Sequence, residues 1–148
     1  MNGDSKPIAA TNDGHAKRRI RVVAAIIERD GQYLITQRRA SAVLPLLWEF
    51  PGGRVEEGEN DQAALKREVM YRLDVRVEPG DLLSSTAHEY QEYFLDLHLY
   101  ACRLLDEDVR PRMVNDVRWV KYKNFDEYIF TPADEASINK LLSEKHQI

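Results

Sequence analysis

A chain of 148 residues, 43% hydrophobic and 31% charged, has the balance of one globular domain around one core. Its formal net charge of -4 gives no global attraction to nucleic acid or to an anionic membrane, so neither is an expected partner. The single cysteine, Cys102, excludes an internal disulfide framework and suits a reducing, cytoplasmic setting.

Residues 1–18 read as a polar tail, rich in Asn, Asp, Ser and Gly and without the apolar stretch of a signal peptide. Residues 19–148 then form the domain. The basic cluster Lys17, Arg18, Arg19 and Arg21 reads as the solvated beginning of a strand. That strand, Arg21–Glu28, is rich in Val and Ile, and its aliphatic run is too short to span a bilayer. Asp30-Gly31 tolerates positive φ and turns the chain into a second strand, Tyr33–Gln37, making a hairpin. A loop from Ser41 to Leu47 precedes a short extended piece, Trp48-Glu49-Phe50, which Pro51-Gly52-Gly53 stops.

Asn60 is placed to cap a helix that runs to about Leu73, with Leu65, Val69 and Leu73 as its buried stripe. Leu82–Thr86 and Tyr93–Leu104 read as strands, the second alternating Leu95, Leu97, Leu99 with Asp96, His98, Tyr100. A charged loop, Arg103–Asn115, leads to a strand at Val117–Tyr122, and Asp134 opens a closing helix with Ile138, Leu141 and Leu142 inward. The order predicts an α/β (α+β) fold with a mixed β-sheet between helical layers. Cys102, His88, His98 and Trp119 read as strand or core residues, not ligands.

The chemistry concentrates in Gly52-Gly53-Arg54-Val55-Glu56-Glu57-Gly58-Glu59, followed eight residues on by Arg67-Glu68. Glycines let a loop approach phosphate closely, and Glu68, Tyr71 and Arg72 fall at i, i+3 and i+4 on one helical face. Gly53, Glu59, Arg67, Glu68, Val69 and Val75 fit the spacing G-x5-E-x7-R-E-U-x-E-E-x-G-U, with U aliphatic. With Trp48-Glu49-Phe50-Pro51, Leu34-Ile35-Thr36-Gln37-Arg38 and Pro132-Ala133-Asp134, the chain from about Arg19 to Leu142 resembles the Nudix family, and within it the MutT-like subgroup.

That resemblance implies a Nudix-type α/β/α sandwich and pyrophosphohydrolase chemistry on a nucleotide or related phosphate ester. It assigns Glu59 and Arg67 to a structural brace, Glu68 to the neighbourhood of metal or water, and Gly52 to a carbonyl beside the metal. Arg38 would meet substrate phosphate, and Asp134 would read the base. Trp48 would form pocket wall or core. Proteins of this family often dimerise, so a homodimer is compatible with the resemblance.

The chain departs from the family at the metal. The two box glutamates fall at Tyr71 and Arg72, the box glycine at Asp74, and the acid expected before Trp119 has no clear equivalent near Met113 and Val114. A family charge of -2 becomes +1 where a dication should sit, and a unit-charge pair ~4 Å apart at an effective dielectric of ~20 is worth about 4 kcal/mol. The makeshift ligands are Glu56, Glu57 and Glu68, and Mg²⁺ or Mn²⁺ is implied only if hydrolysis persists. These departures favour a binding module in which Arg72, Tyr71 and Arg38 hold phosphate. The alternative is a divergent MutT-like nucleoside triphosphate pyrophosphohydrolase that recruits carboxylates, Glu89, Glu92 and Asp96 among them. A third reading is an assembly domain that uses the fold alone.

Overall fold

The computed structural model describes residues 17–146. The polar tail assigned to residues 1–18 therefore lies outside the described residues up to 16, while Lys17 and Arg18 already belong to the folded body. β1 (Arg18–Ile26) is the spine, because its aliphatic run is buried on both faces. It pairs antiparallel with β5 (Gly52–Arg54) and parallel with β7 (Tyr93–Leu104), whose far side carries β6 (Val77–Glu89). Three of the four residues of the basic cluster are paired: Lys17 with Glu89, Arg19 with Asp96 and Arg21 with Asp61.

The expected turn forms, with Asp30 at φ 53° and Gly31 at φ 78°, but its first arm is the two-residue β2 (Glu28–Arg29) and not the Val- and Ile-rich strand; β2 pairs with β3 (Gln32–Gln37). β3 does not join β1. It pairs with β8 (Asp116–Lys121) and with the two-residue β4 (Trp48–Glu49). The mixed sheet that the sequence suggested is the one around β1, with antiparallel and parallel neighbours, and a second four-stranded sheet around β3 completes the middle layer. Both sheets feed both cores, so the sandwich survives the split. Val23, Ala25 and Leu34 pack under α1 (Asp61–Leu73), whereas Ala24, Ile35, Leu97 and Phe50 pack under the closing helical segment.

α1 behaves as its residues dictate. The Asn60 side chain accepts from Ala63 N–H at 2.8 Å, and Ala64, Leu65, Val69 and Leu73 are wholly buried. The helix stops at Asp74, which adopts φ 58° and ψ 37°, the left-handed conformation for which the family pattern supplies glycine. Backbone N–H groups of Arg110 and Arg112 reach back to the carbonyls of Leu73 and Arg72, satisfying the helix's open end.

The closing helix begins earlier than expected. Thr131 caps α2 (Pro132–Ser137), with Pro132 in its first turn, so Asp134 lies inside the helix and does not open it. The chain continues through a π-helical turn (Ile138–Leu142) into α3 (Ser143–Lys145). Among the described residues, no helix is long and apolar enough to cross a membrane.

Candidate functional site

The glycine loop runs across the face of α1 because neither glycine has room for a side chain. A Cβ on Gly52 would overlap the Val23 carbonyl, and one on Gly53 would overlap the Glu68 carboxylate. The loop is pinned to α1 by Arg67, whose Nε and Nη2 donate to the two Glu59 oxygens at 2.7 and 2.8 Å and whose Nη2 also donates to Arg54 O at 2.8 Å. These bonds hold the Glu59 carboxyl well below its ordinary range, at about 2.

From this brace an alternating chain of charges leads inward. Arg67 Nη1 donates to Glu68 Oε2 at 2.6 Å, and Arg72 Nε donates to Glu68 Oε1 at 2.8 Å. Arg72 Nη1 then lies 3.8 Å from Glu49 Oε2, and Arg38 Nη1 donates to both Glu49 oxygens at 3.2 and 3.3 Å. Glu59, Arg67, Glu68, Arg72, Glu49 and Arg38 therefore alternate in sign, and their formal charges cancel. Burial pushes Glu49 above the ordinary carboxylate range, opposed by Arg38 and Arg72.

The chain of charges ends on a cavity of about 350 Å³. Arg38, Glu49, Arg72, Gly52 and Gly53 form one part of its lining, and Thr131 and Asp134 another. Apolar wall comes from Ile20, Val22, Phe50, Leu95 and Leu97, together with Tyr90 and Tyr93, whose rings stack at 5.0 Å. Asp134 is buried, accepts from Phe50 N–H at 3.4 Å and from the Thr131 hydroxyl at 2.6 Å, and is pushed up to about 7 by burial first and by Glu49 second. Near neutrality such a carboxyl both accepts and donates hydrogen bonds.

Of the residues singled out from sequence, the structure brings Arg38, Gly52, Gly53, Arg72 and Asp134 to one cavity. Glu59, Arg67 and Glu68 sit outside its lining as the brace and its inner partner. Tyr71 does not share the site: it is 50% exposed while Arg72 turns inward. Trp48 is core, edge-on to Tyr128 at 5.0 Å, and does not line the cavity. Glu56 and Glu57 are exposed on the loop, away from the cavity lining. Glu89 and Asp96 are occupied by Lys17 and Arg19, and Glu92 is exposed.

Cys102 fits an inert thiol, pushed up to about 12 by burial. The sequence reading missed Glu49 as a site residue. Its signal was present: a lone acid between Trp48 and Phe50 in an extended piece must point away from the face those aromatics bury.

A glycine loop pinned across a helix, beside a cavity that Arg38 and Arg72 line, is carried here by an α/β/α domain. The chain belongs to the Nudix family: residues 22–140 match the model of the NUDIX domain. It is 34% identical over 115 residues to the CTP pyrophosphohydrolase of Escherichia coli (strain K12), covering 78% of this chain and 85% of that one. It is 30% identical over 131 residues to the 8-oxo-dGTP diphosphatase of Haemophilus influenzae, covering 88% and 96%. The solution structure of MutT from methicillin-resistant Staphylococcus aureus 252 is 36% identical, with a TM-score of 0.68 over 86% of this chain and 98% of that one. The crystal structure of a MutT protein from Methanosarcina mazei Go1 has a TM-score of 0.78 over 88% and 98%, and at 21% identity that likeness concerns the fold alone.

The divalent ion that the family pattern implies does not fit the donors present. Both Glu68 oxygens and both Glu49 oxygens face guanidinium groups. Among the described residues, no group of three or more His, Cys, Asp or Glu is arranged to hold a metal.

Proposed function

We propose that this Nudix domain binds a nucleotide or related phosphate ester without a divalent cation, and that metal-dependent hydrolysis is lost or weak. The observation that carries this reading is the Arg72 guanidinium between Glu68 and Glu49, at the edge of the cavity. A dication ~4 Å from that charge would be opposed by about 8 kcal/mol at an effective dielectric of ~20. Phosphate is favoured where the dication is opposed. The Nη2 groups of Arg38 and Arg72 make no hydrogen bond among the described residues, which leaves them for phosphate oxygens. The apolar wall suits a base, with Asp134 to pair with its edge. Without a metal, the means of lowering the pKa of the attacking water is missing.

Calorimetry with a nucleotide panel tests the proposal, starting with CTP and 8-oxo-dGTP because relatives carry those names. Equal affinity in EDTA and in Mg²⁺, without pyrophosphate release, is expected. Affinity that appears only with Mg²⁺, or turnover by the wild-type chain, overturns the reading in favour of a divergent pyrophosphohydrolase.

A further inference from the structure

We infer that Glu49 and Glu68 form a cation site which the chain fills with its own Arg72, so that a guanidinium and a divalent ion are alternative occupants of one place. Glu49 comes from β4 and Glu68 from α1, and their side chains are only 15% and 11% exposed. Two such carboxylates side by side need positive charge between them. Each has an outer arginine, Arg38 for Glu49 and Arg67 for Glu68, but among the described residues Arg72 alone reaches both, at 3.8 and 2.8 Å. Its side chain is 26% exposed and lines the cavity, so truncating it opens the space between the carboxylates to water.

Hard divalent ions are commonly held by one or two carboxylates with water completing the shell. Glu68 belongs to the glycine-to-helix motif and Glu49 lies outside it, so the pair joins one motif acid to one acid from β4. The chain is accordingly indifferent to metal because it carries a tethered cation, and it becomes metal-binding when that cation is cut away. The inference does not rest on nucleotide binding: a chain with no nucleotide affinity would still show the exchange.

The test uses the full chain as wild type, R72A, R72Q and E68Q/R72Q. Mn²⁺ binding is followed by the loss of the free-ion electron paramagnetic resonance signal, and stability by thermal unfolding. Wild type should take up no stoichiometric Mn²⁺, and its Tm should not move. R72A and R72Q should melt lower in EDTA, bind one Mn²⁺ at least ~10-fold more tightly than wild type, and gain roughly 5–10 °C at ~100-fold excess over Kd. E68Q/R72Q should lose that gain. Mn²⁺ binding by wild type as tight as by the variants overturns the inference, as does the absence of binding in a folded R72A or R72Q. If both single variants are unfolded in EDTA, failure of excess Mn²⁺ to restore them also overturns it.

Discussion

Replacing Arg67 by methionine removes the pin between the glycine loop and α1 while keeping most of the aliphatic stem. The lost contacts are two bonds to Glu59 (2.7 and 2.8 Å), one to Arg54 O (2.8 Å) and one to Glu68 (2.6 Å). A Glu59 carboxyl lowered from 4.5 to about 2 corresponds, taken alone, to ~3.4 kcal/mol. The Arg67 side chain is 36% exposed, so solvent screening reduces that figure to ~1–2 kcal/mol. Leaving the nearly buried Glu68 with one guanidinium in place of two adds ~1 kcal/mol.

Arg67→Met should therefore cost ~2–3 kcal/mol at neutral pH. The pH dependence follows from the sign of the Glu59 shift. A carboxyl depressed in the folded state gives its full contribution above its unfolded value of 4.5 and loses it as pH falls toward about 2. The gap between wild type and variant should thus narrow in acid. Urea denaturation near pH 7, pH 4.5 and pH 3 measures it. A gap that stays constant into acid, or one within ~0.5 kcal/mol at neutral pH, refutes the reasoning.

Gly52→Ala should be worse than Gly53→Ala, because the first Cβ strikes the Val23 backbone and the second a Glu68 side chain that can turn; we expect ~3 kcal/mol or more against ~1–2 kcal/mol by chemical denaturation. Asp134 is raised above its unfolded value of 3.8 to about 7, so its contribution is complete at low pH and is lost as pH rises through that window. Asp134→Asn should flatten this decline, which unfolding at pH 5 and pH 8 would reveal. Asp74→Gly should stabilise the chain by ~0.5 kcal/mol, measured as a shift in denaturation midpoint, since glycine takes φ 58° without the steric cost of a Cβ.

Local patterns were legible in the sequence, and contacts between distant segments were not. The period of Leu65, Val69 and Leu73, with Asn60 ahead of them, placed α1 closely, because capping and periodicity act within a few residues. The pairing of β3 with β8 joins Tyr33 to Val120, and nothing in either strand names the other, so the separation into two sheets was hidden. Helical spacing put Tyr71 and Arg72 together beside Glu68. A single step of about 100° around the helix leaves Tyr71 in solvent and carries Arg72 to two carboxylates. Asp134, singled out from sequence, lies on the cavity, but its interior helix position was not legible, since the Thr131 cap stands three residues ahead of it.

The low exposure of Glu68 and Glu49 has a physical account. A buried carboxylate that loses its partner costs ~3–5 kcal/mol, whatever the partner was. Here each of these two acids lies between two guanidinium groups, Arg67 and Arg72 for one, Arg72 and Arg38 for the other. The acids hold the arginines in place as firmly as the arginines neutralise the acids, and the alternating series links the glycine loop to the cavity wall. Arg38 ends the series on the cavity, and under the proposed function it is the guanidinium that an entering phosphate would meet. Glu49 would keep Arg72 as a partner if Arg38 turned to that phosphate. The Arg72 guanidinium thus accounts for the two buried acids and, under the proposed function, for phosphate binding that needs no metal.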